Sequence, residues 1–300
     1  LLHTDAAYST YSQYLGKAML CFRELGLAVD YLAVQNEPLF GTSSEYPGMF
    51  LSADDSFRLN VLVRSELDKL GLSTQLLSYD HNWDHPEYPL SQLASAGGDG
   101  SKVFGGVAWH CYGGDMSSAQ DSLHAAYPDT LQLLTECTGA YPAACDVTQG
   151  MTGFGFNHEW DMQNLLLGGA GHWSSGALKW ILALDEECGP TLPTVTFNNG
   201  RPLVSITSSS QVFFNQDYWS IAHMSKFLSP SVSVRVKSEV LAASSDTRLL
   251  SQSFVNSATG QLVCIVMNLD HDNSAAVELN DSAHERTVTD SLPPVSYTHL

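Results

Sequence analysis

Two glutamates follow short apolar stretches of this sequence, at positions from which a carboxylate can transfer protons or act as a nucleophile. Glu37 lies in an Asn-Glu-Pro motif after the run Val29–Val34, and Glu136 comes directly after the run Leu131–Thr135. In glycoside hydrolysis, one carboxyl group donates a proton to the leaving oxygen while an opposed carboxylate stays ionised beside the anomeric carbon. The two glutamates therefore indicate glycosidase chemistry, although an isolated Asn-Glu-Pro tripeptide would also suit a solvated strand end.

Aromatic and hydrogen-bonding side chains accompany these glutamates and are typical of a sugar-binding cleft. Aromatic rings cover the apolar faces of sugars, and Asn, His and Tyr side chains bind their hydroxyl groups. Taken singly, Trp83 would also suit a core position and His81 a polar loop. The predicted substrate-binding residues are Asn36, Trp83, His110, Tyr112 and Trp180.

Other catalytic chemistries have weaker support. The sequence contains no GxSxG nucleophile elbow and no P-loop, and Gly153–Gly155 lacks the third glycine of a dinucleotide-binding motif. His81, Asp84 and His85 could be arranged around a metal ion, but they flank an Asn-Trp pair in what is equally a sugar-contact loop. We therefore predict an enzyme without a metal or any other cofactor.

The elements that position these residues are strands that alternate with helices. Ser52 has the signature of a helix N-cap, for example, and Gly71 ends the helix that follows. Such alternation indicates a parallel α/β sheet, in which working residues collect at the carboxyl ends of the strands. The curvature of a barrel would then bring Glu37 and Glu136 face to face. The five predicted strands are Val29–Val34, Leu76–Tyr79, Val103–His110, Leu131–Thr135 and Leu178–Leu184.

The pattern changes near Ser231, where apolar runs follow one another without helices. The runs Leu249–Val255, Leu262–Asn268 and Ala276–Leu279 indicate an antiparallel appendage of the β-sandwich type. We predict an incomplete catalytic barrel over residues 1–230 and a partial β-sandwich over residues 231–294. The tail at 295–300, VSYTHL, is expected to be foreign to the protein and to have no regular structure.

The composition excludes several classes of partner. The chain has 32 acidic and 13 basic side chains and a formal net charge of −19, which disfavours nucleic acids and anionic membrane surfaces. With 44% hydrophobic and 15% charged residues, it is not a disordered acidic segment. Its longest apolar run, Leu262–Met267, is too short to insert into a membrane. We expect a secreted, monomeric protein.

The six cysteines form no CxxC pair, which disfavours zinc and thioredoxin-type sites. Their spacing alone does not choose among the many pairings that six cysteines allow. The most economical candidate is a disulfide between Cys137 and Cys145, which would close a short loop. The alternative is that most of the cysteines are buried, inert thiols.

Four motifs make the sequence recognisable: LAVQNEP at 32–38, YDHNWD at 79–84, VAWHCYG at 107–113 and LTECTG at 134–139. Together they resemble glycoside hydrolase family 30. KWILALDEECGP at 179–190 and HMSKFL at 223–228 extend the resemblance over nearly the whole chain up to Asn268. Within that family the sequence looks closest to secreted fungal endo-β-1,6-glucanases, with lysosomal glucosylceramidase a more distant relative.

The resemblance implies a retaining enzyme whose (β/α)8 barrel is joined to a β-sandwich. Glu37, at the end of barrel strand four, would be the acid/base, and Glu136, at the end of strand seven, would be the nucleophile. The acid role requires a raised pKa at Glu37, which an ionised Glu136 nearby would favour. By the same resemblance, Asn36 would bind the sugar 2-hydroxyl, and His110, Tyr112 and Trp180 would line the −1 subsite.

The resemblance also implies that this chain begins inside the barrel and holds only strands four to eight. Because five strands do not close an eight-stranded barrel, we expect the isolated chain to fold poorly or to be inactive.

The distribution of cations bears on the substrate. Family members that cleave glucuronoxylan use arginine to hold its acidic branch, whereas here only Arg201 falls in a predicted active-site loop and only Lys179 lies near a strand end. We therefore predict a neutral substrate, β-1,6-glucan, for an endo-acting glucanase. The alternatives are a glucosylceramidase- or xylanase-type activity and a catalytically silent carbohydrate-binding fragment.

Overall fold

The computed structural model describes residues 3–41, 48–95, 97, 102–139, 154–191, 200–239, 248–283, 285–294 and 296–299. These residues form two units. The first comprises the chain up to Cys137 together with His172–Leu178, and the second comprises Thr138–Gly171, Lys179–Thr191 and the described chain from residue 200 onward. The predicted boundary between residues 230 and 231 does not coincide with this division and stays a prediction.

Helices and strands alternate along the first part of the chain. In order, they are α1 (Asp5–Glu24), β1 (Tyr31–Ala33), α2 (Ala53–Lys69), β2 (Gln75–Asn82), α3 (Glu87–Ser95), β3 (Phe104–His110), α4 (Met116–Ala126), β4 (Leu131–Cys137) and β5 (Ser174–Lys179). The strands form one sheet in the order β1-β2-β3-β4-β5, and β1 to β4 pair in parallel. This confirms the predicted α/β class and a partial (β/α)8 barrel of five strands.

Helix α2 illustrates how the sequence specifies these elements. The Ser52 hydroxyl accepts a hydrogen bond from the Asp55 N–H at 3.1 Å, which satisfies a donor that the start of the helix leaves open. Leu59, Val63 and Leu67 recur every four residues and are fully buried. Each such burial stabilises the fold by about 1.5–3 kcal/mol relative to exposure. The N-cap predicted at Ser52 is confirmed.

The second unit has a helical segment followed by a small sheet. Its elements are α5 (Phe154–Asp161), a π-helical turn (Met162–Leu166), α6 (Leu167–Gly171), β6 (Ala183–Asp185), β7 (Val204–Ile206), β8 (Val212–Phe214) and α7 (Gln216–Ser225). Strands β6, β7 and β8 form a sheet of their own. The predicted fifth strand, Leu178–Leu184, is therefore wrong in its bounds, because β5 ends at Lys179. Leu178, Trp180 and Leu182 are each half exposed or more, so this apolar run does not mark a buried strand.

The last strands are antiparallel and make two sheets. They are β9 (Ser233–Val236), β10 (Leu249–Asn256), β11 (Leu262–Asn268), β12 (Ala275–Asp281), β13 (Arg286–Leu292) and β14 (Ser296–His299), in the order β14-β11-β10-β9 and as the pair β12-β13. Cys264 and Val266 of β11 share a hydrophobic core with Leu292 of β13. Because one core joins residues of both sheets, the predicted partial β-sandwich is confirmed.

The tail of the chain is ordered where no structure was expected. Strand β14 pairs antiparallel with residues Ile265–Asn268 of β11. Without β14, β11 would be the edge of this sheet with unpaired backbone N–H and C=O groups, and the extended segment Ser296–His299 satisfies them. The expectation of no regular structure for residues 295–300 is therefore wrong for Ser296–His299.

Candidate active site

Four ionisable residues lie where neighbouring strands of the first unit end. Glu37 follows β1, Asp80 lies near the end of β2, His110 ends β3, and Glu136 is the penultimate residue of β4. The Glu37 N–H donates a hydrogen bond to the Asp80 carbonyl at 3.0 Å, which ties the segment after β1 to β2. The parallel sheet thus brings together side chains that are far apart in the sequence.

The backbone at this edge is irregular. Glu37, Tyr79 and Asp80 have φ values of 48°, 78° and 62°, in the left-handed region. Such a conformation costs a non-glycine residue about 1–3 kcal/mol, so the surrounding contacts must hold it in place. The pairing of β2 with β3 also shifts register between Tyr79 and His81. Bulges of this kind re-aim side chains and are frequent beside active sites.

The imidazole of His110 lies at the centre of the group and is 1% exposed. Its Nδ1 is 3.1 Å from Glu37 Oε1, and its Nε2 is 3.3 Å from Asp80 Oδ1 and 3.9 Å from Glu136 Oε2. Both glutamates singled out by the sequence therefore lie against one ring, Glu37 at one nitrogen and Glu136 at the other. The side chains of Glu37 and Glu136 are 17% and 21% exposed, respectively, so molecules from solvent can reach both carboxyl groups.

The electrostatics of the group follow from one imidazole among three carboxylates. Burial alone would lower the pKa of His110, but hydrogen bonds to Asp80 and Glu37 and the charges of Asp80 and Glu136 raise it to about 9. Burial raises the pKa of Glu136, with smaller opposing contributions from His110 and the Tyr112 hydroxyl. His81 stands 3.8 Å from Glu37, and burial lowers its pKa. The site therefore has a cationic His110 and a neutral His81 at neutral pH.

Tyr112 completes the surroundings of Glu136. Its hydroxyl donates a hydrogen bond to Glu136 Oε1 at 3.1 Å, and its side chain is partly open to solvent. The Tyr112 N–H donates to Asn82 Oδ1 at 3.0 Å, so the segment after β3 is attached to the end of β2. Burial and the neighbouring charge of Glu136 raise the pKa of Tyr112, which keeps its hydroxyl protonated and able to donate.

The structure corrects the predicted disulfide. Cys137 is bonded to Cys111, with Cα atoms 5.3 Å apart, and not to Cys145, which lies outside the described residues. Strands β3 and β4 are neighbours, and His110 pairs with Glu136, so the next residues of the two strands meet across the sheet. Cys145 is the nearer candidate in the sequence, but Cys111 lies beside Cys137 in the fold because β3 and β4 are adjacent strands.

Two further cysteine findings limit the alternative of inert thiols. Cys188 is also disulfide-bonded. Among the described residues, Cys21 and Cys264 are free, the first exposed and the second buried.

The remaining predicted binding residues lie in different settings. Asn36 is exposed, next to Glu37. Trp180 is 50% exposed but belongs to the second unit, so its relation to the glutamates stays a prediction. Trp83 is only 4% exposed. The prediction that Trp83 binds substrate stays a prediction, and its low exposure does not favour stacking of a sugar on its ring.

Two residues of the group were not singled out by the sequence, Asp80 and Thr135. The Thr135 hydroxyl donates a hydrogen bond to Asp80 Oδ1 at 2.6 Å, and the same oxygen faces His110. For Asp80, the signal in the sequence is its position as the first residue of the polar run that follows the second predicted strand. That signal does not indicate which of the run's members points toward the glutamates.

Lys179 and Arg201 form a buried ion network in the second unit. Lys179 Nζ lies 2.8 Å from Asp161 and also contacts Asp217. Arg201 lies 3.1 Å from Asp161 and 2.9 Å from Asp217. All four side chains are at most 3% exposed. Buried charges persist when they are paired, and these two cations are already paired with carboxylates of the protein.

Two kinds of feature are not found within the described ranges. No group of three or more His, Cys, Asp or Glu side chains there could hold a metal ion. No helix in that part of the chain is long and apolar enough to cross a membrane.

Comparison with known families gives one match over most of the chain. The glycosyl hydrolase family 30 TIM-barrel domain matches residues 2–228. This range contains every element of the barrel sheet and all residues of the candidate site.

Individual relatives point the same way. An endo-1,6-β-D-glucanase of Aspergillus fumigatus is 32% identical over 232 residues, which cover 75% of this chain and 43% of the relative. An endo-1,6-β-D-glucanase of Neurospora crassa is 29% identical over 269 residues, 88% of this chain and 52% of the relative. The chain thus spans about half the length of the curated relatives it matches.

A solved endo-β1,6-glucanase has the same fold. It superposes with a TM-score of 0.80 at 23% identity, over 97% of this chain and 62% of the other. The match extends beyond the barrel strands to the antiparallel sheets, since it covers nearly all of the chain.

Proposed function

We propose a function from one premise: the chain belongs to glycosyl hydrolase family 30. The protein would be a retaining β-glycosidase that cleaves β-1,6-glucan internally. The observation that carries this proposal is the placement of Glu37 and Glu136 at opposite nitrogens of the His110 ring. A binding module has no need of two such carboxylates, which weighs against a silent carbohydrate-binding protein.

The proposed reaction has two displacements at the anomeric carbon. First, protonated Glu37 gives its proton to the glycosidic oxygen while the Glu136 carboxylate attacks the anomeric carbon, so the leaving sugar departs and a glycosyl–Glu136 ester forms. Then the Glu37 carboxylate takes a proton from water, whose oxygen attacks the same carbon and releases Glu136. Glu37 is protonated again at the end, and the product keeps the β configuration.

The surrounding groups suit the role of Glu136. The hydrogen bond from Tyr112 and the positive charge of His110 favour an ionised Glu136, which burial opposes. A nucleophile that is partly desolvated but still ionised is more reactive than one in water. Glu37, at the other side of the ring, lies close enough to Glu136 to interact with its charge.

A neutral glucan is the substrate that the charges favour. Lys179 and Arg201, the two cations considered for an acidic branch, are buried and already paired with Asp161 and Asp217. The chain is strongly acidic overall and would repel an anionic polymer. The names of the fungal relatives also describe β-1,6-glucan-cleaving enzymes.

Secretion and a monomeric state belong to the same proposal. The Cys111–Cys137 disulfide supports an oxidising compartment, since disulfides are rare in reducing ones. Size-exclusion chromatography with light scattering on the protein recovered from culture medium tests both statements.

Hydrolysis assays test the activity. The 300-residue chain and the whole protein would be incubated with β-1,6-glucan, xylan and glucosylceramide, and released reducing sugar measured. We expect the whole protein to cleave β-1,6-glucan fastest and NMR to detect the β-anomer first. First appearance of the α-anomer would contradict double displacement, and faster release from another substrate would reassign the specificity. Binding of β-1,6-glucan without release of sugar by the whole protein would favour the carbohydrate-binding alternative.

A further inference from the structure

Asp80 contacts three parts of the candidate site although it is neither of the two glutamates. Its carbonyl accepts the Glu37 N–H at 3.0 Å. Its carboxylate accepts the Thr135 hydroxyl at 2.6 Å and lies 3.3 Å from His110 Nε2. Thr135 directly precedes Glu136, so one residue links the backbone of the first glutamate, the ring between the two, and the strand that carries the second.

The contacts of His110 constrain its protonation state. A neutral imidazole has one N–H donor and one acceptor nitrogen, whereas an imidazolium has two donors. Here a carboxylate oxygen faces each nitrogen, Glu37 at Nδ1 and Asp80 at Nε2. Ionised carboxylates accept only, so when Glu37 and Asp80 are both ionised the two contacts are satisfied together only if the ring carries both protons. Glu37 is ionised in this way in the second displacement, before it takes a proton from water.

We infer that Asp80 is a positioning residue of the proposed hydrolase: it holds His110 as a cation between Glu37 and Glu136 and anchors the strand that carries Glu136. This inference rests on the proposed function for its catalytic consequence. Asp80 need not contact the substrate, since it acts through His110 and Thr135.

The local backbone is consistent with this role. Asp80 and its neighbour Tyr79 both adopt the left-handed conformation, at the register shift between β2 and β3. Two such residues in succession cost stability, and a regular strand would avoid that cost. The irregularity places a carboxylate that is 14% exposed against a ring that is 1% exposed.

The charge balance indicates what the loss of Asp80 would do. The titratable groups around His110 are Glu37 after β1, Asp80 and His81 of β2, Tyr112 after β3, and Glu136 of β4. Asp80 contributes to the raised pKa of His110 through both its hydrogen bond and its charge. Without that charge, His110 would lose its second proton at a lower pH.

The test is the Asp80→Asn variant, which keeps the shape of the side chain and removes its charge. A hydrogen bond to a charged group contributes about 1.5–3 kcal/mol, so we expect kcat to fall about 10- to 100-fold with KM nearly unchanged. The alkaline limb of the pH–rate profile should move to lower pH. NMR titration of ¹⁵N-histidine should show His110 deprotonating below its wild-type pKa of about 9.

A matched control is Asp121→Asn, which removes another aspartate–histidine contact, 3.1 Å long to His172, outside the site. It should leave kcat and the titration of His110 unchanged. Thr135→Val is the second variant, useful if Asp80→Asn does not fold: it should lower kcat while His110 keeps its high pKa, because the Asp80 charge remains.

The outcomes separate the inference from the proposed function. An unchanged His110 titration in Asp80→Asn overturns the inference, and so does an unchanged kcat in both Asp80→Asn and Thr135→Val. If the wild-type protein cleaves no β-1,6-glucan, the proposed function fails, while the NMR titration still decides whether Asp80 holds His110 as a cation.

Discussion

Cys111 is disulfide-bonded to Cys137, and each of the two cysteines directly follows a residue of the candidate site. Cys111 lies between His110 and Tyr112, and Cys137 follows Glu136. The bond therefore joins the ends of β3 and β4 at the point where the ring, the phenol and the carboxylate must keep their relative positions. The covalent bond adds to the backbone pairing of β3 and β4, whose last paired residues are His110 and Glu136.

Removal of this disulfide should cost both stability and activity. The bond closes a loop of 26 residues, for which the loss of unfolded-state entropy corresponds to about 3.5 kcal/mol. We expect Cys111→Ser/Cys137→Ser to lower the free energy of unfolding in urea by about that amount and to reduce kcat. Substitution is preferable to a reductant because Cys188 is also disulfide-bonded.

The control for the double variant is Cys21→Ser, which alters an exposed, free cysteine. It should change the unfolding free energy by less than about 0.5 kcal/mol. Equal stability and equal kcat in the two proteins would show that the disulfide does not position the site.

The two glutamates should respond differently to azide. Glu136→Ala should lose nearly all turnover of an aryl β-glucoside, and azide should restore it by attacking the anomeric carbon to give the α-glycosyl azide. Glu37→Ala should hydrolyse substrates with poor leaving groups about 10²–10⁴-fold more slowly than wild type. From activated substrates it should give the β-glycosyl azide. Glu87→Ala, at an exposed glutamate of α3, is the control and should behave like wild type. The opposite azide anomers would reverse the assignment of the two roles.

Local signals in the sequence were sufficient for much of the scaffold. The cap at Ser52 depends on neighbours within one helix, and it predicts the start of α2 correctly. The helix face predicted from Phe57, Val61 and Leu67 is wrong at Val61, which is 42% exposed, whereas Leu59 and Val63 are buried. The strand ends that carry Glu37 and Glu136 were found in the same way, by apolar runs that stop at a polar residue. These features need no knowledge of which strands are adjacent.

Features that depend on strand adjacency could not be read locally. The partner of Cys137 is 26 residues away in the neighbouring strand, whereas the closer candidate in sequence was Cys145. Asp80 binds Thr135 across the sheet, a contact that no spacing rule contains. The direction of a side chain at a strand end is equally hidden, because a shift of one residue turns it to the other face.

Tyr112 should matter for catalysis more than for folding. Its hydroxyl donates to Glu136, so Tyr112→Phe removes a hydrogen bond to a charged group that must stay ionised. Such a bond is worth about 1.5–3 kcal/mol, and kcat should fall about 10- to 100-fold. The acid limb of the pH–rate profile should move to higher pH, because the loss of this donor lets the pKa of Glu136 rise further.

Tyr88→Phe is the matched control for Tyr112→Phe. Tyr88 is buried, and its hydroxyl donates to the carbonyls of Leu51 and Ser52. Its loss should lower the unfolding free energy without moving the pH–rate profile. A similar loss of kcat in both variants would indicate general damage and not a specific role for Tyr112.

His110 should make stability depend on pH in a defined window. Its folded-state pKa of about 9 lies above the ordinary value of 6.5, so the folded state binds the proton more tightly than the unfolded state. The stabilisation is therefore fully present below pH 6.5 and is lost as the pH rises toward 9. The shift corresponds to about 3 kcal/mol. Urea unfolding of wild type and His110→Gln across this window isolates the contribution, and parallel pH profiles of the two proteins would contradict it.

Gly114 should be far less replaceable than a glycine of similar conformation elsewhere. Gly114 and Gly26 have φ values of 83° and 78°, so alanine at either pays the left-handed cost of about 1–2 kcal/mol. At Gly26 an added Cβ meets nothing within 4 Å, whereas at Gly114 it would lie 2.3 Å from Asp84 N and 2.4 Å from Trp83 C.

Both clashes involve backbone atoms of the segment that follows β2, so Gly114→Ala must push apart the loops beside Tyr112 and Asn82. We expect Gly114→Ala to lose about 2–5 kcal/mol of unfolding free energy in urea and to lower kcat, while Gly26→Ala loses about 1–2 kcal/mol with kcat unchanged. Equal losses in the two variants would mean that conformation alone selects glycine at residue 114. The close approach of the two loops would then contribute nothing to holding Tyr112 beside Glu136.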